Sequence, residues 1–192
     1  MFYKFLLFIF FALFSCANIC NKNETFAPVE LCEINLKIPT IIDLNFSENE
    51  NNLIIYSMDK WKEVSNNKIN FIIMDYQSHD KIMAYEDPNY LYIGRLTNND
   101  SFLISLDSLV GNNETKGYTL NNIIYIIPER IDTETYFILV SLHEEGHLLG
   151  MHHSMITNSV LYPRIAGMGE CLQETPKPTF FDMQEIYKRW CN

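Results

Sequence analysis

The chain has 192 residues, a formal net charge of −10 and a hydrophobic fraction of 47%. That length and composition fit one domain with a sizeable core. The acidic balance, with no basic cluster along the chain, argues against nucleic acid as a partner, because phosphate recognition needs Lys and Arg on one surface.

Residues 1–17 read as a targeting segment. Lys4 is followed by the apolar run 5–14 and then by Ser15-Cys16-Ala17. The run is too short to span a bilayer and suits a signal peptide. Two endings fit. Small residues at 15–17 suit a secretory signal peptidase, and Leu13-Phe14-Ser15-Cys16 suits a lipobox in which Cys16 carries a lipid anchor. Either places the rest of the chain outside the cytosol, secreted or at the cell surface. Residues 18–32 are mostly polar and aperiodic, a tether ahead of a domain at 33–192. With Cys16 set aside, four cysteines remain (Cys20, Cys32, Cys171, Cys191), an even number consistent with disulfides in an exported chain. Three connectivities are open to them, of which Cys171 with Cys191 and Cys20 with Cys32 is the choice. None has the CxxC spacing of a cysteine zinc site.

Within the domain, residues 33–46 alternate enough to form a first strand. Ser47 and Glu50 form a capping box for a helix carrying Leu53, Ile54, Tyr56, Met58, Trp61 and Val64. Residues 69–74 are nearly all apolar, which predicts a central strand. Residues 77–90 form a loop. Residues 91–96 and 102–106 are strand candidates, joined by a turn at Asn98-Asn99-Asp100. Residues 111–118, with two glycines, read as a loop. Residues 123–127 are a strong strand that Pro128 ends. Asp132 or Thr133 then caps a long helix whose Phe137, Val140 and Leu148 face the core. A last helix runs from about 181 to 190. Trp61 and Trp190 are expected in the core. No internal repeat or second domain is evident.

The long helix carries the chemistry. Residues 143–153 read HEEGHLLGMHH, which contains HExxHxxGxxH. Helical spacing puts His143 and His147 one turn apart on one face, where two imidazoles can share a cation. Glu144 lies beside them, suited to act as a general base on a metal-bound water. Gly150 can adopt positive φ, so the helix can stop and the chain swing back to bring His153 in as third ligand. His152 competes for that role, but the spacing favours His153. Three histidines leave a fourth position open, as in catalytic rather than structural zinc sites. Five fixed positions coincide by accident on the order of once in 100,000 for such a composition, so the pattern outweighs a helix of solvated histidines.

At these residues the chain resembles the metzincin clan and, within it, the matrixins, the matrix-metalloprotease family. The family pattern HExGHxLGLxHS compares with HEEGHLLGMHHS here, Ser154 included. Leu161-Tyr162-Pro163 stands where matrixins have a Met-Tyr-Pro turn. Trp61 and Val64 resemble the family's early helix, and Asp182 and Ile186 its closing helix. The resemblance implies an α/β fold: a twisted mixed sheet with one antiparallel edge strand, three helices, and a zinc cleft between upper and lower parts. Residues 91–96 are the choice for the edge strand, where substrate pairs by main chain. It further implies hydrolysis of peptide bonds, with one zinc ion on His143, His147 and His153, with Glu144 as base, and with Tyr162, Pro163 and Arg164 walling a substrate pocket that the loop 165–178 shapes.

Departures from the family are visible. Leu161 replaces the methionine under the metal, a swap that keeps volume and apolarity. Glu145 sits where the family is apolar, on the far side of the helix from the ligands, which predicts either an exposed edge or different packing at that position. The loop that holds a second zinc in the family offers only His79 and Asp80, so no structural zinc is expected. No carboxylate loop marks a calcium site. The expected partner is a peptide or protein substrate, the expected state a monomer. Two rival functions stand beside the endopeptidase: another exported zinc hydrolase such as an aminopeptidase, and a non-catalytic surface binding protein on the same scaffold. Glu144 argues against the latter, since a binder has no use for a base there.

Overall fold

The computed structural model describes residues 35–78, 80–81, 87–110, 115–163 and 175–191. The leader, the tether, His79, Arg164 and the loop residues 165–174 lie outside them, as do the four cysteines at 16, 20, 32 and 171. Cys191 is disulfide-bonded.

In chain order the elements are β1 (Leu36–Asp43), α1 (Glu48–Val64), β2 (Ile69–Gln77), β3 (Leu91–Arg95), α2 (Ser101–Val110), β4 (Gly117–Leu120), β5 (Ile123–Ile126), a 3-10 turn (Pro128–Arg130), α3 (Glu134–Leu148) and α4 (Phe180–Trp190). The strands form one sheet in the order β2-β1-β3-β5-β4. β1 runs parallel to β2 and to β3, and β3 parallel to β5; β4 alone is antiparallel, paired with β5 from Gly117 opposite Ile126 to Leu120 opposite Ile123.

Local signals explain the elements. Ser47 caps α1 with the expected capping box to Glu50. The buried residues of α1 are Ile54, Ser57, Met58 and Trp61. Their i, i+3, i+4, i+7 spacing makes a single stripe that packs on α3 and the sheet. Burying Ile54 completely contributes about 1.5–3 kcal/mol. Thr133, rather than Asp132, caps α3, accepting from the Tyr136 amide. α3 is buried nearly all round, with Phe137, Leu139, Val140, Leu142, Glu144, Glu145 and Gly146 inside. A helix so placed is the central beam of the domain.

Five expectations are corrected. Residues 102–106 belong to helix α2, not to a strand, so the described residues hold four α-helices rather than three. Leu103 and Asp107 are buried while Ile104 is 56% exposed; a strand would have put Ile104 on the face of Phe102. The antiparallel edge is β4, not residues 91–96. β3 lies between β1 and β5, and Leu91, Tyr92 and Ile93 are buried. β4 itself occupies part of the span expected as a loop, and Asn121, at φ 55°, makes the tight turn into β5. β2 is the other edge of the sheet, not a central strand; its apolar face is covered by α1, and Met74 and Tyr76 are exposed. Lastly, Trp61 is fully buried but Trp190 is 47% exposed, its indole N–H donating to Leu149 O at 3.1 Å.

Candidate metal centre

α3 presents His143 and His147 one turn apart, with ring centroids 4.6 Å from each other. The helix ends at Leu148, and Gly150 follows at φ +87°, a conformation that strains any residue with a Cβ. The chain then doubles back: the Met151 amide donates to Gly146 O at 3.0 Å. That return carries the His153 ring to 5.2 Å from His143 and 4.8 Å from His147. One nitrogen from each of the three rings lies within 4.8 Å of the others, a group that can hold a metal ion. His152 is exposed and is not part of the group, so the swing selects His153.

The backbone fixes which nitrogen each helical histidine presents. His143 Nδ1 lies 2.8 Å from Val160 O and His147 Nδ1 lies 2.9 Å from Met151 O. A carbonyl only accepts, so both Nδ1 atoms carry the proton and both Nε2 atoms keep a bare lone pair. Those Nε2 atoms face each other at 3.0 Å. Burial holds the His143 imidazole down to about 4, with the neighbouring His147 charge acting in the same sense, and burial also lowers His147. Burial thus disfavours a second proton on either ring. Two facing lone pairs call for a cation between them, and two nitrogens at 2.0–2.1 Å from one tetrahedral zinc stand about 3.3 Å apart. The donor set fits zinc.

Glu144, next to His143 on α3, packs against β4. It is 6% exposed, and burial pushes its carboxyl up to about 7 against the pull of the Thr119 hydroxyl, which donates to Oε2 at 2.6 Å. Its neighbour Glu145 is 1% exposed, so of the two alternatives it is the packing that differs and not an exposed edge. Ser57 of α1 donates to its Oε1 at 2.6 Å, and burial raises its carboxyl well above the usual carboxylate range. The position that is apolar in the resemblance thus holds a buried carboxyl tied to α1.

The segment after the third histidine forms the floor. Leu161 is 1% exposed and lies directly under α3, where a Cβ on Gly146 would come within 2.7 Å of Leu161 Cδ2. Asp182, at the start of α4, holds this floor. It accepts from Ser159 Oγ, from the Val160 amide at 3.2 Å and from the Thr179 amide and hydroxyl at 2.7 and 2.8 Å. Val160 in turn supplies the carbonyl that orients His143. A cavity of about 250 Å³ opens beside His153, lined in part by Ser154, Ile156, Leu161, Phe181 and Lys188. Tyr162 is half-buried and Pro163 exposed next to the floor, while Arg164 lies outside the described residues.

The sequence did not point to Thr119, Gly117 or the carbonyls of Met151 and Val160. A signal for the first two was present: Asn121-Asn122 between two apolar runs is a hairpin turn, which makes 117–120 a strand beside β5.

The comparisons agree with the geometry. A matrixin peptidase family model matches residues 40–188. Among solved structures, the archaemetzincin of Methanopyrus kandleri is similar in fold, with a TM-score of 0.56 and 11% identity over 87% of this chain and 100% of that one. No curated protein sequence matches the chain. With the matched region spanning most of the domain and containing all three converging histidines, the chain belongs to the matrixins, a family of zinc metallopeptidases.

Proposed function

We propose that the protein is an exported zinc endopeptidase, secreted or anchored at the cell surface through Cys16. The observation that carries the reading is the convergence of His143, His147 and His153 on one point, with Glu144 buried beside them. The three imidazoles would hold one zinc ion. When bound, zinc supplies Lewis acidity, which polarises a carbonyl and brings the pKa of a coordinated water towards about 7.

The chain's own groups do the rest. Val160 O and Met151 O keep both helical rings in the tautomer that presents Nε2. Glu144, whose Oε1 has no hydrogen-bond partner among the described residues, accepts a proton from the attacking water and passes it to the leaving amine. Its raised affinity for a proton suits both halves of that task. β4 is the antiparallel edge of the sheet beside Glu144, and its outer rim offers main-chain groups to an extended peptide. The wall of the pocket for a substrate side chain is assigned to Tyr162, Pro163 and, outside the described residues, Arg164 on the strength of the resemblance.

The decisive experiment measures zinc content and chelator-sensitive cleavage of an unfolded protein and of an end-blocked peptide, with Glu144→Gln as control. Internal cleavage by the parent and none by the variant supports the reading. Release of N-terminal residues alone would make the protein an aminopeptidase. Zinc binding with no cleavage of any peptide would leave a surface binding protein.

A further inference from the structure

We infer that Thr119, seated beside Gly117 on the edge strand, is a positioning residue that clasps the Glu144 carboxylate. The inference rests on the reading of Glu144 as the proton acceptor, and it names how that group is held.

The observation is a pairing of two positions on one strand face. Residues two apart in a strand point to the same side, and in β4 those are Gly117 and Thr119, both turned to α3. A Cβ built on Gly117 would stand 2.8 Å from Glu144 Cγ, 2.9 Å from Glu144 Oε1 and 2.7 Å from Val140 Cγ1. Any side chain at 117 would therefore occupy the space that the Glu144 side chain fills. Thr119 then supplies the single donor. Its hydroxyl lies 2.6 Å from Glu144 Oε2 and 3.1 Å from Glu144 O. One hydroxyl proton serves one acceptor well. The shorter contact, to the carboxyl oxygen, is the stronger of the two, as expected of a charge-assisted bond. Tyr118, between them, turns to the opposite face and packs beside Leu96, Leu103 and Tyr125, so the strand cannot slip by one residue without removing both the space and the donor.

The consequence is a carboxylate with one oxygen held and the other left available. A glutamate has three side-chain torsions and loses that freedom at a cost when it must act from one position. The clasp meets that cost in the folded state, before any substrate arrives. Because the donor sits on the strand proposed to pair with substrate, the base and the peptide are referenced to the same backbone.

The test uses the zinc-loaded full chain and three variants, Thr119→Val, Thr119→Ser and Glu144→Ala, plus the Val/Ala double variant. For turnover, Thr119→Val is expected to lower kcat about 10–30-fold with KM and zinc content unchanged, a fraction of the full worth of a general base. Thr119→Ser, which keeps the hydroxyl, is expected to stay within about twofold of the parent. For stability, Thr119→Val is expected to lower Tm by about 4 °C in the Glu144 chain and to leave it unchanged or raised in the Glu144→Ala chain. Equal loss of Tm in both backgrounds overturns the clasp. So does a Thr119→Val enzyme with parental kcat, or a Thr119→Ser enzyme as slow as the valine variant. Should the parent cleave no peptide, the peptidase reading fails by itself, while the unfolding arm still decides whether Thr119 and Glu144 are coupled.

Discussion

Two buried carboxylates flank the histidines, and they are treated differently. On the β4 side, Glu144 is 6% exposed and receives one hydrogen bond, from Thr119. On the α4 side, Asp182 is 3% exposed and receives bonds from Ser159, Val160 and Thr179, the last through both its amide and its hydroxyl. The groups are chemically alike and similarly dry. What separates them is the number of donors supplied. Asp182 has its lone pairs committed to backbone and side-chain donors, which makes it a fixed tie between α4 and the floor. Glu144 keeps an oxygen uncommitted, which is what a proton acceptor requires. Burial alone therefore does not separate the two; the donors each receives do, together with the place of Glu144 next to His143.

This contrast can be broken in graded steps. The largest effect is expected from His147→Ala, which removes a ligand whose second nitrogen is already tied to Met151 O: bound zinc and turnover should both vanish, as read by metal analysis and peptide cleavage. Next is Glu144→Gln, expected to lower turnover by about 10²–10⁴-fold while zinc content stays at that of the parent. Retained activity here would remove Glu144 from the chemistry and undo the contrast. Asp182→Asn should act differently. An amide nitrogen cannot accept, so the Val160 carbonyl is held less firmly, and zinc affinity is expected to weaken about 10–100-fold, with excess zinc restoring turnover. If Asp182→Asn instead abolished turnover with zinc still bound, the two carboxylates would be equivalent after all.

The smallest effect on activity is expected away from both regions. Asp107 of α2 pairs with Arg130, whose two terminal nitrogens lie 3.0 and 2.6 Å from its oxygens. The guanidinium holds the Asp107 carboxyl below its ordinary value. A depressed folded value contributes stability that is present above the unfolded value near 3.8 and is lost as pH falls through the folded one. Asp107→Asn is therefore expected to leave turnover unchanged and to cost about 1–2 kcal/mol at pH 7, with the gap closing in thermal melts below about pH 4.

The grouping of the three histidines was legible in the sequence because a helix converts spacing directly into geometry. His143, His147 and the break at Gly150 needed no knowledge of any distant residue. So too the caps at Ser47 and Thr133, which act within three residues. What escaped the sequence acts across the fold. The edge strand was misplaced because Leu91, Tyr92 and Ile93 are as apolar as any strand, and only pairing on both sides shows that they are interior. α2 was mistaken for a strand because a short apolar run carries no decisive period. For Glu145 the sequence leaves an exposed edge and different packing both open, because its place on the far side of the helix does not say what covers it. Its partner Ser57 lies 88 positions away, and no local pattern joins them. Thr119 was invisible for the same reason, being a strand residue whose meaning depends on a helix that begins 15 residues later.

The last turn of α4 also reaches back to the end of α3. Trp190 donates to Leu149 O, and Arg189 lies over Gly150, where it would meet any Cβ. The turn that delivers His153 is thus latched by residues made some 40 positions afterwards, and the floor under His143 waits on Asp182. The consequence is one of timing. A growing chain that has emerged only as far as its histidines holds the whole recognition pattern but neither brace, so the geometry that gathers the three rings waits on residues as late as Trp190.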